Sequence, residues 1–130
     1  MADGFDIIDM VSSAVESADT GILLCKDNSA DGEKENHIVV RTTGVETKDY
    51  VNKASVVNVN VFVKRNSNGT TKRSIMKDAC RKLEHALKNI SIPVGMYWKS
   101  RIIWMEPTGG AKEGFDCTNI RLEVITELNR

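Results

Sequence analysis

The chain has 130 residues, of which 41% are apolar, 5% aromatic and 28% charged, and its 18 acids balance its 18 bases. That length suits one domain with one core, and so few aromatics require the core to be mainly aliphatic. No apolar run approaches the ~18 residues that a membrane-spanning helix needs, and a balanced net charge excludes a binder of nucleic acid that is basic throughout.

Phe5, Ile8, Val11 and Val15 recur at steps of three and four, which predicts a helix over 5–17 with one apolar face. Asp3 and Asp6 sit near its start, where carboxylates favour the helix dipole. Gly21 follows the helix end. Ile22-Leu23-Leu24-Cys25 is too short for a helix and reads as a strand. Residues 26–36 are polar and contain Asp31-Gly32, a turn signal. Ile38-Val39-Val40-Arg41-Thr42 reads as the next strand, so 22–42 is expected to form a hairpin with a loose loop. Residues 43–54 are polar and read as irregular.

In Val56-Val57-Asn58-Val59-Asn60-Val61-Phe62-Val63 the period is two, and Val57, Val59, Val61 and Val63 should face the core. A turn-rich linker follows over 64–71. From Lys72 to Ile90 the period becomes helical: Ile75, Ala79, Leu83, Ala86, Leu87 and Ile90 line one side, and Pro93 lies beyond. Residues 97–105 read as a strand in which Trp98 and Trp104 share parity with Ile102, as core residues would. Residues 106–116 hold Pro107 and three glycines and read as a loop. In the closing strand Ile120, Leu122 and Val124 face one way, and Asn119, Arg121 and Glu123 the other. The expected architecture is a single α+β domain of order α-β-β-β-α-β-β. About five strands form an antiparallel sheet, with two helices packed on one face.

Motifs that would carry chemistry fail on their spacing. Asp27-Asn28-Ser29-Ala30-Asp31-Gly32 matches the first half of a calcium loop, but its twelfth position is Ile38 where a bidentate Glu is needed. Gly109-Gly110-Ala111-Lys112-Glu113-Gly114 approximates a phosphate loop, but Phe115-Asp116 follows and no helix opens there. His37 and His85 are the only histidines, and no four-ligand zinc pattern forms around them. Cys25, Cys80 and Cys117 are odd in number and lack C-x-x-C pairing, so they read as buried small hydrophobes. No metal or cofactor is expected, and no residue set supports an enzyme. The N-terminus carries acid where a secretory signal needs positive charge, so a cytoplasmic location is expected.

Charge distribution is more informative. Residues 1–35 hold nine acids against Lys26 and Lys34, a net of −7, so the remainder nets +7. Chance on a solvated surface is the plain explanation. The pattern also suits a subunit whose acidic flank meets the basic flank of the next copy, a contact that closes into rings. Lys64, Arg65, Lys72, Arg73, Lys77, Arg81 and Lys82 fall within nineteen residues, opposed only by Asp78. Arg73, Lys77 and Arg81 are spaced by four and form one ridge. It is a solvated face with intersubunit ion pairs, or a contact for phosphates or an acidic protein surface.

An amphipathic helix comes first, then a glycine-initiated hairpin, then the Val-Asn-Val-Asn-Val-Phe-Val strand. A polar linker and one long helix follow, then a strand ending in Trp104-Met105-Glu106, a glycine-rich loop and Phe115-Asp116-Cys117-Thr118-Asn119-Ile120-Arg121-Leu122-Glu123-Val124. In this order and texture the chain resembles the tail-completion or tail-to-head joining proteins of long-tailed bacteriophages and prophages. The resemblance implies a virion assembly protein without an active site, present in the host cytoplasm during assembly and then in the virion. Its implied partners are other head or tail structural proteins and its own copies in a ring, with a hexamer as one size. DNA contact in a channel is a further implication, and a membrane is not. The implied contact residues are Lys64, Arg65, Arg73, Lys77 and Arg81, with Gly109, Gly110 and Lys112 in the loop. The alternative is a nucleic-acid-binding accessory protein that uses the basic helix 72–90.

Overall fold

A run of valines spaced by two builds the centre of the molecule. In the computed structural model, which describes residues 4–26, 35–42, 46–47, 51–65, 72–90, 98–108 and 114–127, Val57, Val59, Val61 and Val63 are all fully buried. They lie on β4 (Val51–Lys64), one of six strands among the described residues. Before it come helix α1 (Gly4–Ser17), β1 (Leu23–Lys26), β2 (His37–Thr42) and the two-residue β3 (Glu46–Thr47). After it come helix α2 (Arg73–Lys88), β5 (Trp98–Thr108) and β6 (Phe115–Glu127).

The class is α+β, as the periodicities imply. The sheet runs β1-β2-β4-β6-β5, with β3 paired to β4. On β4, Val59 faces Val40 of β2 and Ile120 of β6, Val61 faces Ile38 of β2, and Val57 faces Leu122 of β6. The apolar sides of α1 (Ile7, Ile8, Val11, Val15) and α2 (Ala79, Leu83, Leu87) close over this face in one continuous core. Burying one such aliphatic side chain stabilises by about 1.5–3 kcal/mol.

Five expectations are corrected. The sheet is mixed, because β1 pairs with β2 in parallel, Leu23 opposite His37 and Lys26 opposite Val40. The segment 22–42 is therefore no hairpin. The ten residues between these strands outreach a four-residue strand several-fold at about 3.3 Å per residue, so the chain has length to return and re-enter in the same direction. Residues 43–54 are not wholly irregular: β3 forms, and β4 begins at Val51 because Val51, Asn52, Lys53 and Ala54 pair with residues 124–127 of β6. Ladder pairing overrides their polar composition. The presumed loop over 106–116 shrinks, since β5 continues to Thr108 and β6 starts at Phe115.

The fourth correction concerns Trp104. A bulge between Ile102 and Trp104 inserts Ile103 as an extra residue, so Ile102 opposes Leu122 but Trp104 opposes Arg121. Parity flips, and Trp104 emerges on the face away from the helices at 39% exposure. Trp98 stays on the core side, half-buried. On α2, Ile75 also leaves the expected apolar stripe and is exposed. No described helix is long and apolar enough to cross a membrane.

Candidate functional site

The basic ridge of α2 borders two clefts. Arg73 and Lys77 turn toward the far end of the sheet, where they border a cleft of about 500 Å³ with Met105 and Pro107 of β5 and Asp116 of β6. Arg81 borders a second cleft with Lys82, His85 and the end of α1. The other α2 bases are paired along the helix: Lys82 with Asp78 at 3.2 Å and Lys88 with Glu84 at 3.5 Å, four residues apart in each case. Arg73, Lys77 and Arg81 are exposed and form no ion pair among the described residues.

Lys64 and Arg65, expected as partner contacts, have partners within the chain. The Lys64 ammonium lies 3.5 Å from Glu35, and its backbone N–H donates to Asn36 Oδ1 at 2.9 Å. Arg65 Nε donates to Asp116 Oδ1 at 3.0 Å, and the Arg65 backbone N–H donates to the Gly114 carbonyl. These bonds tie the end of β4 to the start of β6. Asp116 Oδ2, by contrast, is buried without a hydrogen-bond partner. Gly109, Gly110 and Lys112 lie outside the described residues.

Cys80 and Cys117 border the same cleft. Burial pushes the Cys80 thiol up; a hydrogen bond with Thr118 partly opposes this, and Cys117 nearby adds to the rise. Burial likewise raises Cys117, against a smaller opposing effect of Thr108. Both thiols are thereby held protonated, the reverse of what a nucleophile or thiolate ligand needs. Among the described residues no three His, Cys, Asp or Glu side chains gather as metal ligands.

The face away from the helices carries a network that periodicity alone did not reveal. Asn58 and Asn60, the polar alternates of the valine strand, meet Asn119 across the ladder. Asn119 Nδ2 donates to Asn60 Oδ1 at 2.7 Å and to Asn58 Oδ1 at 3.1 Å. Trp104 Nε1 donates to Asn119 Oδ1 at 2.7 Å, and Arg121 stacks over the Trp104 ring at 4.2 Å while donating to Asn58 Oδ1. Lower on this face the buried His37 stacks on Phe62 at 4.7 Å and meets Phe115 edge-on. His37 Nδ1 lies 2.7 Å from the Glu35 carbonyl. The network locks three strands together and displays one indole. It offers amide donors and a cation–π pair, and no group poised to exchange a proton or attack a bond.

No known protein-family model matches the chain, and no curated protein matches it.

Proposed function

We propose that the chain is a structural virion assembly protein, acting in tail completion or head–tail joining of a long-tailed bacteriophage or prophage through contacts with other structural proteins and with its own copies. The observation that carries the reading is opposite charge at the two ends of one sheet. Helix α1, with three acids and no base, packs over β1 and β2. Helix α2, with five Lys or Arg against two acids, packs over β4 and β5. A subunit with unlike flanks joins head to tail, as ring-forming proteins do. The buried, protonated thiols and the internally satisfied amide network fit a molecule that works by shape.

A host carrying the cognate phage with this gene removed tests the reading. The expected result is separate accumulation of filled heads and finished tails, with joining restored by the intact chain. Replacing residues 109–113 by a short Gly-Ser segment should leave the fold unchanged, judged by circular dichroism, and abolish that rescue. Infectious particles without the chain would refute the proposal.

Arg73, Lys77 and Arg81, exposed and without an ion pair among the described residues, favour a second reading, in which α2 contacts a phosphate backbone. Under it, changing all three to Ala lowers affinity for duplex or single-stranded DNA and flattens its salt dependence. An intact chain with no salt-sensitive binding removes that reading.

A further inference from the structure

The first turn of α2 does not close onto the sheet. The buried residues of this helix begin at Ala79 and continue through Cys80, Leu83 and Leu87, whereas Arg73 and Lys77 are exposed and Met76 is half-buried. The sheet changes at the same level. On the helix side of β6, Ile120, Leu122 and Val124 are fully buried. The preceding positions of that parity are Thr118 and Asp116, opposite Val61 and Val63 of β4. Polar side chains there give the first turn of α2 no apolar seat, and a cleft of about 500 Å³ opens between helix and strands. Pockets of this volume hold small organic ligands.

The cleft is an apolar bed with a cationic border. Met76 and Cys80, four residues apart on α2, lie along one side, and Met105 and Pro107 of β5 along another. Both methionines are half-buried and Pro107 is exposed, so the bed is reachable from solvent. Thioether side chains adapt to an apolar guest of irregular shape. Burial holds the Cys80 and Cys117 thiols protonated, so they add no negative charge. Asp116 is already paired with Arg65 at 3.0 Å. Arg73 and Lys77 have no ion pair among the described residues, so the border keeps its positive charge. No acid occupies the first turn of α2, and the positive end of its dipole adds to these two side chains.

Each half of the arrangement disfavours one class of guest. A bare inorganic anion leaves the apolar bed uncovered, and an apolar amine is repelled at the border.

We infer that this cleft binds an organic anion with an apolar body, its charged head at Arg73 and Lys77 and its body along Met76, Met105 and Pro107. The inference goes beyond the assembly reading and stands or falls separately from it. Decanoate, added to the full chain with isotope-labelled methionine methyl groups, tests it by nuclear magnetic resonance. The Met76 and Met105 signals should move saturably with one equivalent bound, while that of Met10, at the α1–α2 cleft, stays fixed. Decylamine should bind at least about tenfold more weakly, and acetate should show no saturable binding. Arg73→Ala and Lys77→Ala in one chain should weaken decanoate binding at least about tenfold. Arg81→Ala, at the other cleft, should leave it unchanged. Both changed residues are exposed, so the double variant should keep the parent's urea midpoint. Were it to unfold, the comparison of decanoate with decylamine on the unmodified chain still decides. The inference is overturned if decanoate shows no saturable binding at millimolar concentration or if decylamine binds equally well. It is also overturned if Met10 moves in place of Met76 and Met105, or if the folded double variant binds as the parent does.

Discussion

Asn119 and Ser12 show that hydrogen bonding decides what a buried polar side chain contributes. Asn119 is 7% exposed, and its amide serves Asn58, Asn60 and Trp104. Asn119→Ala removes the acceptor for the indole and the shared donor for two amides, and should lower unfolding free energy by about 1–3 kcal/mol. Ser12 is fully buried and its hydroxyl has no partner. Ser12→Ala removes that desolvated group and improves helix propensity, so stability should rise by about 0.5–1 kcal/mol. Urea unfolding separates the two by opposite movements of the midpoint. The thiols predict a pH response. Below the ordinary thiol value of 9.0 they are protonated in both folded and unfolded chains and contribute no pH dependence. Above it the unfolded thiols ionise while burial keeps the folded ones protonated, so stability falls as pH rises through the raised folded values. The fall should shrink in a chain carrying Cys80→Ala and Cys117→Ala, measured by urea unfolding across the alkaline range.

Among the elements, β5 shows how one residue redirects a strand. On both sides of Ile103 the ladder to β6 is in register, with Ile102 opposite Leu122 and Trp104 opposite Arg121. Deleting Ile103 should join these halves without turning any neighbour over. Cooperative unfolding and the Trp104 fluorescence environment should then be retained, and a collapsed transition would show that the bulge itself is required. The same residue explains the limit of reading this strand from periodicity. Alternation placed Val57 to Val63, Ile120, Leu122 and Val124 correctly, because those runs have no irregularity within them. It misplaced Trp104, since nothing in Ile102-Ile103-Trp104 marks the extra position. Helical spacing found both helices within two residues of their ends. It kept Ile75 in the apolar stripe, although the sheet offers that position no cover. The direction of β1 was also illegible, because a polar connection of ten residues serves a wide hairpin or a return crossover equally well. Of the candidate contacts, charge alone singled out Arg73, Lys77 and Arg81. It could not tell that Arg65 is occupied by Asp116, 51 residues away.

For the whole molecule, the pairing that joins β4 to β6 has a consequence for how the protein is made. Asn58 and Arg121, which meet across that ladder, are 63 residues apart. β4 emerges from the ribosome well before β6, and at about 5–20 residues per second it waits several seconds for its central neighbour. During that interval one side of a long valine-rich strand has β2 beside it and nothing on the other. Slow, distant closure of this kind leaves nascent strands open to mispairing with other chains. Delays in translation between these two strands, or scarcity of chaperones that shield nascent chains, should therefore reduce soluble yield before any folded-state property is involved.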